Sequence, residues 1–200
     1  MEIREINAKE KQIIKEIVQI HLDTFKGFFL TFMGRGFLNC LYKSYCQHKK
    51  SGLVVAFDSN QAIGFLAYSG DYSGIYKFMI KKKLISFAWY SLIAFIKKPK
   101  VFVRLIRAFL KSKDVKRQER YIELASIGVK PEAKQKGVGS ALVTWLKDSI
   151  DYKEYSYISL ETDKDNNDIA NTFYVKNGFE CVRSYETREG RRMNEYRYRR

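Results

Sequence analysis

The sequence predicts a mixed α/β domain, and three observations carry the prediction. Segments with two-residue alternation and segments with helical spacing follow one another in the order βααββ, insertion, βαβαββ, as in a sheet with helices packed on it. One stretch, "GLVVAFDSNQAIGFLAYSG", reads as a hairpin, with two apolar runs around Asp58-Ser59-Asn60. Finally, 46% of the 200 residues are hydrophobic and 15% aromatic, enough for a sizeable core in a chain of single-domain length. One domain is expected over residues 1–200, with a basic, apolar helical insertion at about 75–114.

The elements follow in order. "MEIREIN" alternates and reads as a first strand. "AKEKQIIKEIVQIHLDTF" places Ile13, Ile14, Ile17 and Ile20 near one helical face. "KGFFLTFMGRG" carries Gly27, Gly34 and Gly36 and reads as a loop or broken helix. "FLNCLYKSYCQH" is a second helix, and the hairpin follows. From Tyr72 to Lys113 there is no Asp or Glu, and two or three helices broken near Pro99 are expected. The run Leu84 to Ile96 is shorter than the roughly 20 apolar residues a bilayer needs. Arg104, Arg107 and Lys111 share a helical face there. "RYIELASIGV" is a strand; a helix runs from about Gly137 to Ile150; "YSYISLET" is a strand. "NNDIANTFYVKNG" is a helix ending at Gly178, a C-terminal cap. The end of the chain reads as a hairpin turning at Glu189-Gly190.

Composition narrows the chemistry. Lys and Arg number 37 against 22 Asp and Glu, a formal charge of +15, which favours anionic partners such as nucleic acid, a membrane surface or a phosphorylated cofactor. Cys40, Cys46 and Cys181 make no CxxC pair and no disulfide framework, so reduced packing cysteines in a cytoplasmic protein are expected. His21 and His48 lack metal-ligand spacing, and no metal is expected; His21 lies in a helical pattern and reads as a packing residue. The start of the sequence is too charged for a signal peptide.

The stretch "GVKPEAKQKGVGSALVTWL", residues 128–146, combines lysines and bare backbone where a helix begins. A strand runs into Pro131, a short basic loop follows, and then a helix starts. Free backbone N–H groups and the helix dipole both favour negative charge there. Gly137 and Gly139 remove side chains at the point of approach, and Lys134 and Lys136 add charge, features that suit a diphosphate. A solvated loop with ordinary turn glycines is the alternative. The stretch is no P-loop, which needs GxxxxGK and then Ser or Thr. Nor is it a Rossmann fingerprint, whose third glycine position is Leu142 here.

"VKPEAKQKGVGSALV" resembles the acyl-CoA loop of the GNAT superfamily of N-acetyltransferases: Gln or Arg, two residues, Gly, one residue, Gly or Ala. Lys134 stands at the Gln/Arg position, a departure, and both glycines are in place. "NDIANTFYVKNGFE" is similar to the same family's later motif, with Asn167, Ala170, Tyr174, Gly178 and Phe179 matching. The resemblance covers most of the chain apart from residues 75–114. It implies a mostly antiparallel sheet of six or seven strands flanked by helices, with the insertion between strands 3 and 4. It also implies acetyl-CoA as cosubstrate. The diphosphate would lie on the amides of Gln135, Lys136, Gly137, Val138, Gly139 and Ser140. The pantetheine arm would run along Ile127, Gly128 and Val129, and a bulge in that strand would aim an amide at the thioester oxygen.

The implied reaction is direct attack of an amine on the acetyl thioester, for which a base must deprotonate an ammonium. Glu123 looks like the glutamate used by the histone-acetylating branch; an ordinary strand carboxylate paired with a lysine is its other reading. Strict alternation places it on one face with Ala125 and Ile127. Glu161, six residues before Asn167, is the rival base. The resemblance makes Tyr174 the donor to the leaving thiolate and Asn167 a contact of the cofactor arm. Phe28, Phe29 and Tyr76 are candidate walls of the acceptor pocket, with core packing as the alternative for each. A small-molecule or sugar amine is the expected acceptor. The insertion has three readings: it holds an anionic acceptor, rests on the inner face of a membrane, or packs as a lid with its charges in water. A non-catalytic module binding nucleic acid or an anionic membrane is the rival function class.

Overall fold

The computed structural model describes residues 1–75, 77–79, 81, 96, 99, 119–187 and 190–200. In chain order the elements are β1 (Glu2–Glu5), α1 (Lys11–Thr24), α2 (Phe29–Phe32), α3 (Gly34–Tyr45), β2 (Ser51–Asp58) and β3 (Gln61–Ser69). After the insertion come β4 (Tyr121–Val129), a 3-10 turn (Pro131–Ala133), α4 (Val138–Ser149), β5 (Tyr157–Asp163), α5 (Asp168–Lys176), β6 (Glu180–Glu186) and β7 (Arg192–Tyr198). The strands form one sheet in the order β1-β2-β3-β4-β5-β7-β6. Neighbours are antiparallel except β4 and β5, which are parallel and joined through α4. This is the mostly antiparallel, helix-flanked sheet expected from the sequence.

The sheet separates two cores. On one face α1 and α3 bury Ile14, Ile17, Leu38 and Tyr42 against Leu53, Val55 and Phe65. On the other, α4 and α5 bury Val138, Leu142, Leu146 and Tyr174 against Val54, Leu66, Ile158 and Phe179. Strand β2 therefore touches apolar side chains on both faces, and that is why "GLVVAF" reads as an unbroken apolar run. The helical period of α1 places Ile14, Ile17, Val18, Ile20 and His21 inward. Its start is tied down locally: the Glu10 carboxylate accepts from the Asn7 amide (2.8 Å) and from Arg4 Nη2 (2.7 Å). The Arg4 bond, set against partial burial, holds the Glu10 carboxyl below the usual carboxylate range.

Several boundaries shift against the sequence reading. The broken-helix segment resolves into α2 and the start of α3, where Gly34 has φ +83°. Helix α4 begins at Val138, because Gly137 turns left-handed before it. The terminal hairpin closes by Thr187 N–H donating to Arg191 O (2.8 Å). Residues 72–75 and 77–79 are helical, whereas the Pro99 break's flanks and the Arg104, Arg107, Lys111 face lie outside the described residues.

Leu142 is fully buried where α4 meets β3, with its Cδ1 near Gly64. Leu142→Ala is expected to destabilise the fold by about 2–5 kcal/mol through lost transfer energy and a residual cavity, read from urea unfolding midpoints.

Candidate active site

Strands β4 and β5 pair at Tyr121↔Tyr157, Ile122↔Ile158 and Glu123↔Ser159, and then part. Strand β4 stays with β3 as far as Val129↔Gly64, while β5 stays with β7 as far as Asp163↔Met193. The result is a V-shaped gap with facing strand edges. The Lys130 amide donates to Ile63 O at 2.8 Å. Antiparallel alternation then turns Ser126 and Gly128 toward β3, and it turns the backbone groups of Ile127 and Val129 into the gap. Val129 O there also accepts from Thr24 Oγ1 (3.4 Å).

A bulge interrupts this strand. The β3–β4 register passes from Ala67↔Ser126 to Tyr68↔Leu124, leaving Ala125 over. The side-chain pattern flips with it: Ala125 packs toward α1, while Ile127 and Val129 pack toward α4 and α5. The expected common face of Glu123, Ala125 and Ile127 is thus overturned at Ile127, because one extra residue reverses strand alternation.

At the far end of β4 the loop into α4 is shaped for open amides. Gln135 has φ +61° and Gly137 φ +78°. A Cβ on Gly137 would meet nothing within 4 Å, so glycine serves the left-handed turn there rather than a close approach. Gly139 is the sterically tight one: its Cβ would stand 3.1 Å from Phe173 of α5. Lys134 N–H donates to Pro131 O (3.3 Å) and Ala141 N–H to Gly137 O (2.9 Å). Between them, the amides of residues 135–140 have no carbonyl partner among the described residues. They sit at a helix N-terminus, where the backbone dipoles favour an anion.

The gap opens into a cleft of about 1750 Å³. A single small-ligand pocket holds roughly 300–1,000 Å³, so two substrates can share this one. Its walls include Ile127, Gly128, Val129, Lys134, Gln135, Gly137, Val138, Gly139 and Ser140, together with Glu123, Glu161, Asn167 and Tyr174. Lys136 is exposed and stands outside these walls. Phe28 is exposed and lines the cleft beside Phe25, with ring centroids 5.7 Å apart. Phe29 opens α2, and Tyr76 lies outside the described residues.

The two candidate bases differ in setting. Glu123 sits on β4, two residues before the bulge and opposite Ser69 of β3. Glu161 sits across the gap on β5, where Tyr185 Oη donates to Oε2 (2.8 Å) and Arg183 Nη2 lies 3.8 Å from Oε1. Burial, and then Glu161, pushes the Tyr185 phenol well above its ordinary value. Tyr174 is buried on α5 among the rings of Phe173, Phe179 and Tyr196. Burial, and then Tyr196, raises its phenol well above 10, so it keeps its proton across the neutral range.

Asn167 precedes α5, and its Nδ2 donates to Thr162 Oγ1 (2.7 Å) and Asp163 O (3.1 Å). Its amide nitrogen is therefore committed to holding the β5–α5 turn. Asn171, which the sequence reading passed over, does more of this work. Its Nδ2 donates to Asp163 O, and its Oδ1 accepts from Asn194 Nδ2 (3.0 Å) and Tyr196 Oη (2.9 Å). The legible signal was two asparagines one helical turn apart. His21 was read as packing, and it is 2% exposed; yet it also lines the cleft.

The description "Acetyltransferase (GNAT) family" belongs to the family model that matches residues 14–179. A comparison with curated proteins gives no match. Among solved structures, a protein from Desulfovibrio desulfuricans assigned to the GNAT acetyltransferases superimposes with a TM-score of 0.63 at 13% identity, over 99% of this chain and 98% of that one. An aminoglycoside 6′-acetyltransferase type Ii gives 0.63 at 14%, over 100% and 97%. Arabidopsis thaliana NAA60, solved with acetyl-CoA, gives 0.59 at 16%, over 98% and 97%.

His21 makes folding pH-dependent. Burial lowers its pKa from 6.5 to about 4. The unfolded chain takes up the proton first, so the contribution is whole above pH 6.5 and is lost as pH falls toward 4. The full swing is about 3 kcal/mol. Urea unfolding at pH 7 and pH 4.5 is expected to show a steeper acid loss in the wild type than in His21→Phe.

Proposed function

Because the chain belongs to the acetyltransferase (GNAT) family, we propose that it transfers the acetyl group of acetyl-CoA to a primary amine by direct attack within a ternary complex. The observation that carries this reading is the gap between β4 and β5, with unpaired amides on its wall and at its end. Their spacing along one strand and one helix start suits an amide-bearing arm followed by a diphosphate. The rival idea of a purely binding module gives way to the family assignment.

In this reading the amides of residues 135–140 hold the diphosphate, with Lys134 adding charge. Ile127 and Val129 pair with the pantetheine arm as a missing strand would. The bulge at Ala125 turns a backbone donor toward the thioester oxygen, where negative charge grows during attack. Glu123 takes a proton from the acceptor ammonium, since only the free amine is a nucleophile. It is preferred to Glu161 because it stands on the strand that carries the thioester, while Glu161 is held across the gap by Tyr185. Tyr174 donates to the departing sulfur. Its raised pKa makes it a weak acid but keeps it a hydrogen-bond donor, which suffices for a thiol that ionises near 8.5.

A small-molecule or sugar amine is the proposed acceptor. Two neighbours' names point to different acceptors at similar TM-scores, an aminoglycoside and, for a protein from Brucella melitensis, a ribosomal-protein alanine, so the fold does not choose among them. No helix of the described residues is long and apolar enough to cross a membrane.

Calorimetric titration is expected to show saturable one-to-one binding of acetyl-CoA. On an acceptor found by following thiol release across an amine panel, Glu123→Gln and Tyr174→Phe are each expected to lower kcat about 10²-fold or more. Acetyl-CoA affinity should stay close to wild type in both. Wild-type turnover in both variants would remove the two catalytic roles and leave the cofactor site standing; failure to bind the coenzyme would remove the whole reading.

A further inference from the structure

Helix α5 is short and meets the sheet through little apolar surface: of its nine residues only Tyr174 is buried. A helix with so narrow an apolar face is not placed by packing alone. Asn171, one turn before Tyr174 and on the same side of the helix, supplies the missing hold. Its Nδ2 donates to Asp163 O (3.0 Å) and Asn167 O (2.9 Å), with Lys164 O farther off at 3.4 Å. Its Oδ1 accepts from Asn194 Nδ2 (3.0 Å) and Tyr196 Oη (2.9 Å), both of β7. An amide side chain offers two donors and an oxygen with two lone pairs, so every bond Asn171 can make is made. The chain of bonds runs on to β6, where Ser184 Oγ donates to Asn194 Oδ1 (2.7 Å).

Asn171, Asn194 and Tyr196 do not line the cleft, whereas Tyr174 does. The network reaches Tyr174 by two routes. Through the backbone, Asn171 fixes the turn of α5 that precedes Tyr174. Through Tyr196, it holds the ring that packs on Tyr174 at 5.7 Å between centroids. Tyr196 is 3% exposed, and its hydroxyl is committed to Asn171. The Tyr174 hydroxyl makes no hydrogen bond among the described residues. No bond of its own fixes that phenol, so its place is set by the elements packed around it.

We propose that Asn171 is a positioning residue for acetyl transfer: it ties the first turn of α5 to the end of β5 and to β7, and so fixes the distance from the Tyr174 hydroxyl to the departing sulfur. The inference rests on the role proposed for Tyr174 above and adds the residue that aims it. A donor works within hydrogen-bond reach, about 2.6–3.2 Å, and a displacement near 1 Å costs about a hundred-fold in rate. Asn171 stands behind the wall, so its loss acts on turnover through Tyr174. The amides of residues 135–140 lie at the start of α4 instead, and coenzyme binding does not depend on Asn171.

The test is a double-mutant cycle in kcat between Asn171 and Tyr174, on the acceptor that the amine panel identifies. Asn171→Ala alone is expected to lower kcat about ten- to hundred-fold, with acetyl-CoA affinity within about three-fold of wild type. In the Tyr174→Phe background the same change should cost less than about two-fold, because the group it aims is gone. Losses that multiply are what a residue supporting only the fold would give, and they would overturn the inference, as would wild-type kcat in Asn171→Ala. Asn171→Asp keeps the oxygen that Asn194 and Tyr196 need, and its charge suits the first turn of a helix. It should recover part of kcat, and it carries the same cycle if the alanine variant fails to fold. A second measurement needs no acceptor: carbon-13 NMR of labelled tyrosine, with the Tyr174 signal identified by its loss in Tyr174→Phe. Coenzyme A, whose thiol stands for the departing sulfur, is expected to move that signal in the wild type and to move it less in Asn171→Asp. An equal response in both overturns the inference. Wild-type turnover in Tyr174→Phe, or a Tyr174 signal indifferent to bound coenzyme A, would be a separate failure, that of the Tyr174 role itself, and would take this inference with it.

Discussion

The parting of β4 from β5 after Glu123 and Ser159 is the constraint on which the remaining architecture depends. A sheet gains by pairing every backbone group, and a buried amide without a partner is costly. Here two neighbouring parallel strands forgo that pairing over most of their length. Each is secured from its outer side instead, β4 by β3 and β5 by β7. Helices α4 and α5 follow these two strands, so their N-termini flank the opening with unsatisfied amides of their own. The edges that the sheet leaves unmatched are the edges that a ligand with its own amides and phosphates can match.

The bulge at Ala125 couples this gap to the other face of the sheet. Before it, Ile122 and Leu124 pack toward α4 and α5; after it, Ile127 and Val129 do so as well. One inserted residue lets β4 keep an apolar side against those helices while rotating its backbone relative to β3. Gly128 keeps the strand close to the aromatic layer beneath, since a Cβ there would stand 2.7 Å from Phe65. The edge of the gap and the aromatic wall of the cleft therefore share one short length of chain. His21, Thr24 and Phe25 reach it from the last turns of α1.

Much of this was legible in the residues. Helical spacing located α1, and two apolar runs around a turn located the β2–β3 hairpin, because burial leaves its mark in the spacing and length of apolar runs. The two motif blocks located the loop at residues 134–140 and Tyr174, since glycines and a positioned tyrosine leave a mark in the chain itself. Element ends were less legible. Gly137 belongs to a turn rather than to a helix, a distinction made by its backbone angle. Lys136 and Lys134 look equivalent in sequence, yet only Lys134 lines the cleft, because the turn at Gln135 and Gly137 sends neighbouring side chains different ways.

The sequence by itself determined the fold class, the order of strands and helices, and the position of a glycine-containing basic loop at a helix start. These follow from local rules: side-chain periodicity, turn residues and free amides at helix ends act over a few residues. Tertiary structure alone decided where two strands separate, which face Ile127 occupies after the bulge, that Asn171 clamps β5 to α5 and β7, and that His21 stands both in the core and on the cleft wall. Each depends on pairings between residues far apart in the chain, fixed by register and packing, and of the four only Asn171, one helical turn after Asn167, leaves a local trace.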